Sequence, residues 1–188
     1  MAIKIYIDQG HNPVNPNAGA EGNGLREQDL MYRIGKSLER LLESDDRFEV
    51  RVSRPSATTQ LGTSNATSLA ARVNDANSWG ADYFISLHAN ASSNSSASGT
   101  EGYAYSRTGE GFILGGDILA RISEYTGLRN RGMSARPSLY VLRRTSMPAV
   151  LLELGFITNY NDATLMNESP ELFARAIYRG IIDYLGLN

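Results

Sequence analysis

The chain has 188 residues, 41% hydrophobic and 20% charged, enough for one well-cored domain and cramped for two, so residues 1–188 are read as a single domain. A net charge of −2 with no basic cluster argues against nucleic acid or an anionic membrane as a partner. With no cysteine there is no disulfide framework and no thiolate ligand or nucleophile, and no apolar run approaches membrane-span length. No signal peptide precedes the first strand, which fits a chain that works where it is made, leaves by a route such as lysis, or was trimmed of a leader.

Residues 3–8 alternate and are rich in isoleucine, which predicts a strand running out toward Gly10 and His11. Residues 9–24 form a Gly/Asn/Pro-rich loop, long for a strand-to-helix connection and of the kind that carries function. A helix is predicted from about Arg26 to Leu42, with Leu30, Ile34, Leu38 and Leu41 on one stripe. Glu27 falls on that same inward stripe, where a carboxylate needs a partner. Phe48–Val52 reads as a second strand, followed by a polar loop over 53–65. A helix from about Ser68 to Trp79 turns Leu69, Val73 and Ala76 inward, with Arg72 beside them and expected to tie this helix to a neighbouring carboxylate.

The strand Asp82–Leu87 ends at His88, the second of only two histidines. Residues 91–100 are almost all Ser, Asn, Ala and Gly and read as a mobile surface loop beside it. Glu101–Ser106 is a short strand, and a helix over 110–125 turns Ile113, Leu114, Ile118 and Ile122 inward before Gly127 stops it. A basic irregular connection over 128–138 leads to a short strand at Leu139–Leu142. Pro148–Gly155 reads as a central buried strand, apolar except for Glu153. A short helix at Asn161–Met166 precedes a last helix. There Ser169 suits the N-cap and Pro170 the first turn, Phe173, Ile177, Ile181 and Leu185 form the core face, and Gly186 ends it. The alternation predicts a three-layer α/β domain with a twisted, largely parallel sheet of about six strands flanked by helices.

Each of four residues has an ordinary explanation when taken alone. A histidine after a strand is commonly structural, and Glu27 could simply favour a helix N-terminus. Glu153 is harder to dismiss, because a carboxylate inside Leu151-Leu152-Glu153-Leu154 costs several kcal/mol unless paired or protonated. Together, His11, Glu27, His88 and Glu153 point to one site. Two imidazoles and a carboxylate suit Zn²⁺ with an open fourth position, and iron(II) in a facial triad is a weaker fit. Zinc acidifies water and polarises a carbonyl, and a further carboxylate can move the proton to a leaving nitrogen, which makes metal-assisted amide hydrolysis the expected reaction. The His-Glu-x-x-His helix of many zinc proteases is absent.

A longer pattern carries a specific resemblance. It comprises Ile7-Asp8-Gln9-Gly10-His11, Gly19-Ala20-Glu21-Gly22, Leu25-Arg26-Glu27, Arg72 with Asn74, and Ala81 through Asn90. It continues with Arg131-Gly132, Tyr140-Val141-Leu142-Arg143 and Pro148 through Asn159. In order and spacing, over nearly the whole chain, these segments resemble the zinc-dependent N-acetylmuramoyl-L-alanine amidases of the amidase 3 class. The resemblance implies a twisted mixed sheet flanked by helices, zinc ligands at His11, Glu27 and His88, and Glu153 as the catalytic glutamate. It implies cleavage of the amide between the lactyl group of N-acetylmuramic acid and the L-alanine of the stem peptide. Asp8 and Asn90 are candidates for supporting or substrate contacts. The chain departs from the pattern at Gln9, where proline is frequent, and at Asn12-Pro13, where a Gly-Gly pair is frequent. The former is expected to alter stiffness before the ligand, the latter the floor of the cleft.

The expected partner is therefore bacterial cell-wall peptidoglycan, met by a monomer at the wall. With no obvious helix between His88 and Glu153 beyond the one at 110–125, the site is expected to be open without an activator. Three rivals remain. A zinc peptidase cutting within the stem peptide would use the same metal chemistry. A catalytically inactive peptidoglycan-binding domain would sit oddly with four intact site residues. A nucleotide-binding α/β domain has only the glycines at 19, 22 and 24 in its favour, without a Gly-Lys-Ser/Thr or a Rossmann fingerprint.

Overall fold

The structure is a computed structural model that describes residues 2–187. In chain order the first half runs β1 (Ile3–Gln9), β2 (Glu21–Gly22), β3 (Leu25–Arg26), α1 (Glu27–Glu43), β4 (Phe48–Val52), α2 (Asn65–Trp79) and β5 (Tyr83–Asn90). The second half runs β6 (Thr100–Ala104), α3 (Glu110–Thr126), β7 (Asn130–Ala135), α4 (Tyr140–Arg144), β8 (Ala149–Phe156), α5 (Tyr160–Glu168) and α6 (Pro170–Leu185). Six strands form one sheet in the order β4-β1-β5-β8-β6-β7, while β2 and β3 make a separate two-residue hairpin. The β4, β1, β5 and β8 strands are mutually parallel. The β6 strand runs antiparallel to β8, and β7 pairs parallel to β6.

Strand alternation sorts side chains to two faces, because successive residues point to opposite sides. One face carries Ile5, Ile7, Ile85, Leu87, Val150 and Leu152, and it is covered by the apolar stripes of α1, α3 and α6, including Ile34, Ile118 and Ile177. The other carries Tyr6, Phe84, Leu151 and Tyr103, packed against Val73 and Ala76 of α2 and against Val141 and Leu142 of α4. On this second face the pattern turns polar farther along the parallel strands. Asp8, Ser86, His88 and Glu153 follow Tyr6, Phe84 and Leu151 at the same parity, and Glu101 stands opposite Glu153 on β6. The site therefore lies where the apolar cover of the sheet gives out. Among the described residues no helix is long and apolar enough to cross a membrane.

The α/β layering and the mixed sheet match the expectation from the sequence, while several local expectations change. The second strand-end histidine is inside β5, which continues through Asn90. The α2 helix begins at Asn65, three residues before the expected Ser68, because Ser64 and Thr67 form a capping box ahead of the apolar stripe. Residues 130–135, expected to be irregular, form the edge strand β7. Most of its side chains are solvated, so no alternation marks it. Residues 140–144 form the short helix α4 in place of a strand, a case where a brief apolar run fits either period. It is also a second helix between His88 and Glu153. Ile113 is 56% exposed, because Gly111 and Gly115 share the buried stripe with Leu114, Ile118 and Ile122 and rotate it away from Ile113. The Ser/Asn-rich segment is tied down: the Gly99 N–H and the Ser98 hydroxyl both donate to Asp162, and Ser92 N–H donates to Thr158 Oγ1.

Candidate functional site

The first ligand candidate is set by a strained turn. β1 ends at Gln9, and His11 takes a left-handed backbone conformation (φ 67°), which costs a non-glycine residue about 1–2 kcal/mol. Gly10 does not take the turn. Its role is close approach, since a Cβ there would lie 2.5 Å from Leu87 O and 2.6 Å from His88 Cε1. The strain is held by Arg72, which is buried in α2. Its Nη2 donates to His11 O (2.6 Å) and its Nη1 to Gln9 O (2.7 Å) and Asp8 Oδ1 (2.6 Å). Ser86 donates to the other oxygen of Asp8 at 2.7 Å. Burial pushes the Asp8 carboxyl up, but the charge and hydrogen bonds of Arg72, with Ser86, hold it below the usual carboxylate range. Arg72 thus ties its helix to a carboxylate as expected, and Asp8 is occupied in that tie.

Glu27 is the first residue of α1 and is 3% exposed. Its Oε2 accepts from Ala20 N–H (2.9 Å) and its Oε1 from Ala89 N–H (3.0 Å), so backbone on both sides fixes the carboxylate. His11 Nε2 and His88 Nδ1 stand 3.2 and 3.0 Å from Glu27 Oε1. One ligand atom from each of the three residues lies within 4.8 Å of the others. Donors on a tetrahedral zinc, with bonds of about 2.0–2.1 Å, stand roughly 3.3 Å apart, so this donor set and the spacing of each imidazole from Glu27 fit the ion. Burial pushes the Glu27 carboxyl up, yet its hydrogen bonds and ion pairs with the two histidines carry it well below the usual range. Burial lowers the affinity of His88 for a proton, and Glu27 more than offsets that, leaving His88 raised. The two imidazoles are 21% and 19% exposed, so the site is reachable from solvent.

Glu153 sits beside His88 in the β5–β8 register. Its Oε2 is buried without a hydrogen-bond partner, as is His11 Nδ1, the condition in which buried polar atoms are left where a ligand completes a site. Burial pushes the Glu153 carboxyl up to about 7. The charge of His88 pulls it back, and Glu27 and Glu101 add to the rise. A carboxyl poised there can both take and return a proton near neutrality. A pocket of about 140 Å³ adjoins the histidines, walled by Leu69, Leu139, Tyr140 and Leu151.

Asn90 is engaged away from the candidate ligands: its Nδ2 donates to Glu101 Oε1 (2.8 Å) and its Oδ1 accepts from Ala91 N–H (2.9 Å). Glu101 also accepts from Tyr103 Oη (2.6 Å) and Arg131 Nε (2.9 Å). Periodicity does not mark Glu101, Tyr103 and Arg131 as site neighbours, because only the antiparallel β6–β8 pairing puts Glu101 opposite Glu153. Gln9, a departure from the family pattern, is buried at the end of β1 and accepts from Arg54 N–H (2.8 Å). Asn12, the other, bonds Pro16 O and Leu61 O and accepts from Leu61 N–H, tying the His11 loop to the one after β4. Both side chains act as ties of the surrounding scaffold.

Residues 5–183 match the family described as N-acetylmuramoyl-L-alanine amidase, of the amidase 3 type. A relative, N-acetylmuramoyl-L-alanine amidase CwlM of Bacillus licheniformis, is 38% identical over 180 residues, covering 95% of this chain and 65% of that protein. Another, N-acetylmuramoyl-L-alanine amidase LytC of Bacillus subtilis, is 35% identical over 96% of this chain and 35% of its own length. The chain thus spans less than two thirds of the length of these relatives. The catalytic domain of CwlV, an N-acetylmuramoyl-L-alanine amidase from Bacillus (Paenibacillus) polymyxa, superposes with a TM-score of 0.86 at 28% identity, covering 99% of both chains.

Proposed function

The chain belongs to the amidase 3 family of N-acetylmuramoyl-L-alanine amidases, and from that premise we propose that it hydrolyses the amide joining N-acetylmuramic acid to L-alanine in peptidoglycan. The observation that carries this reading is the convergence of His11, Glu27 and His88 on one point, with the buried, unpartnered Oε2 of Glu153 beside them. His11, Glu27 and His88 would hold zinc, which when bound supplies Lewis acidity for activating water and polarising the amide carbonyl.

The remaining work belongs to the chain's own residues. Glu153 takes a proton from the attacking water and gives it to the departing alanine nitrogen, a role suited to a carboxyl near 7. Glu27 is kept ionised and oriented by two backbone N–H groups, and His11 is held in its strained turn by Arg72. Asp8 acts through Arg72 on that turn, and Asn90 acts through Glu101 on the floor beside Glu153. The reading extends to a single catalytic unit that works as a monomer at the cell wall, with a cleft open without an activator; the solvent exposure of both imidazoles supports the last point.

Mass spectrometry of muropeptides from digested walls tests the reaction. New L-alanine amino termini, lost on zinc removal and restored by zinc, are expected from the purified chain alone. New termini inside the stem peptide would replace the reading with a peptidase, and binding without any cleavage would replace it with an inactive wall-binding domain.

A further inference from the structure

On the polar face of the sheet, one guanidinium near Glu153 has no carboxylate of its own. Arg131 is engaged by Glu101, which in turn is filled by Asn90 and Tyr103. Arg136 lies just past the end of β7, where its N–H donates to Ala104 O (2.8 Å). Its guanidinium stacks over the ring of Tyr103, 4.3 Å from the centroid, and among the described residues it makes no ion pair. The side chain is exposed but not loose. The Tyr103 hydroxyl is fixed on Glu101, the ring is packed in the core of this face, and the guanidinium lies on top of it.

Register places the Tyr103 ring, and so the guanidinium stacked on it, relative to Glu153. Glu101 stands opposite Glu153 and Tyr103 opposite Leu151, so Tyr103 is one strand across and two residues along from Glu153. With strands about 4.8 Å apart and a rise of about 3.3 Å per residue, that offset is roughly 8 Å. An extended peptide covers it in two to three residues at about 3.4 Å each. We propose that Arg136 is the anchor for a free carboxylate on the second residue of the stem peptide, and so sets which stem chemistry this site accepts. This rests on the amidase reading. The charge arrangement limits the ligand: with Arg131 taken up by Glu101, a guanidinium beside the carboxylates of Glu101 and Glu153 favours an anion held at Arg136 and disfavours one any closer to the reacting bond. A pre-stacked guanidinium offers its fork to a carboxylate with little further loss of freedom.

The test uses two soluble N-acetylmuramoyl peptides that differ only in whether the second-residue carboxylate is free or a primary amide. The full zinc-loaded chain is expected to prefer the free acid by roughly tenfold to a hundredfold, mainly through KM, as a charge-assisted hydrogen bond would give. Arg136→Gln should erase that preference while cleaving the amidated compound as the parent chain does, and Arg136→Lys should keep part of it. Equal handling of both compounds by the parent chain, which requires no variant to fold, would overturn the proposal. So would an equal loss on both compounds in Arg136→Gln. Calorimetric binding of the same pair to Glu153→Gln separates this inference from the reaction. A carboxylate preference that Arg136→Gln removes supports the anchor even if no L-alanine terminus is ever released. Cleavage at L-alanine with no such preference retains the amidase and rejects the anchor.

Discussion

Glu153 occupies the middle of an otherwise apolar central strand, where burial favours its neutral form. A group there that only filled space would be replaced by glutamine with little effect. One that moves protons would not. Glu153→Gln is expected to lower kcat by about 10²–10⁴-fold while zinc content by emission spectrometry stays unchanged. His88→Ala should lose both zinc and hydrolysis, and an unchanged metal content would remove His88 from the ligand set. Asp8 carries a pH signature of a different kind. Its carboxyl is held low in the folded chain, so its contribution to stability is full above the unfolded value of about 3.9 and is lost as pH falls through the folded value. Asp8→Asn should therefore cost about 3–5 kcal/mol at pH 7, because it leaves Arg72 buried and unpaired. Denaturant titrations should show the gap to the parent chain closing as pH is taken below 4.

At the element scale, α3 packs against α6, where Gly180 faces Ile118. A Cβ at Gly180 would stand 2.5 Å from Ile118 Cα, a backbone atom that cannot swing aside. Helix propensity alone would make Gly180→Ala stabilising by about 1 kcal/mol. The overlap should outweigh it and give a net loss of about 1–3 kcal/mol, read from the urea midpoint at unchanged m. An increase in stability would mean that the helices can separate freely. Activity should change little, because this pair lies on the face of the sheet away from His88 and Glu153.

For the whole molecule, the candidate metal site joins segments far apart in sequence: the loop after β1, the start of α1, and β5. An ion that binds only the folded arrangement stabilises it by mass action, about 2.7 kcal/mol at a hundredfold excess over Kd. For a domain of this size that corresponds to a Tm lowered by roughly 5–10 °C on chelation and recovered on adding zinc. A melting curve indifferent to chelator would mean that the three residues hold no ion.

Much of this was legible in the chain itself. Alternation in residues 3–8, the apolar run ahead of His88, the stripe of α1 and the apolar run around Glu153 placed three strands and a helix within a few residues, because each buries a face whose period the sequence must repeat. The same logic exposed Glu27 and Glu153, carboxylates where burial demands a reason. What the sequence could not carry was pairing. The β7 strand has no apolar signature because its partner supplies its order through backbone hydrogen bonds. Tertiary structure alone decided that Glu101 faces Glu153, that Arg136 stacks on Tyr103 beside them, and that His11, not Gly10, takes the strained turn under the hand of Arg72. Periodicity is a property of one segment, whereas register, strain and the meeting of charges belong to two or more segments brought together by the fold.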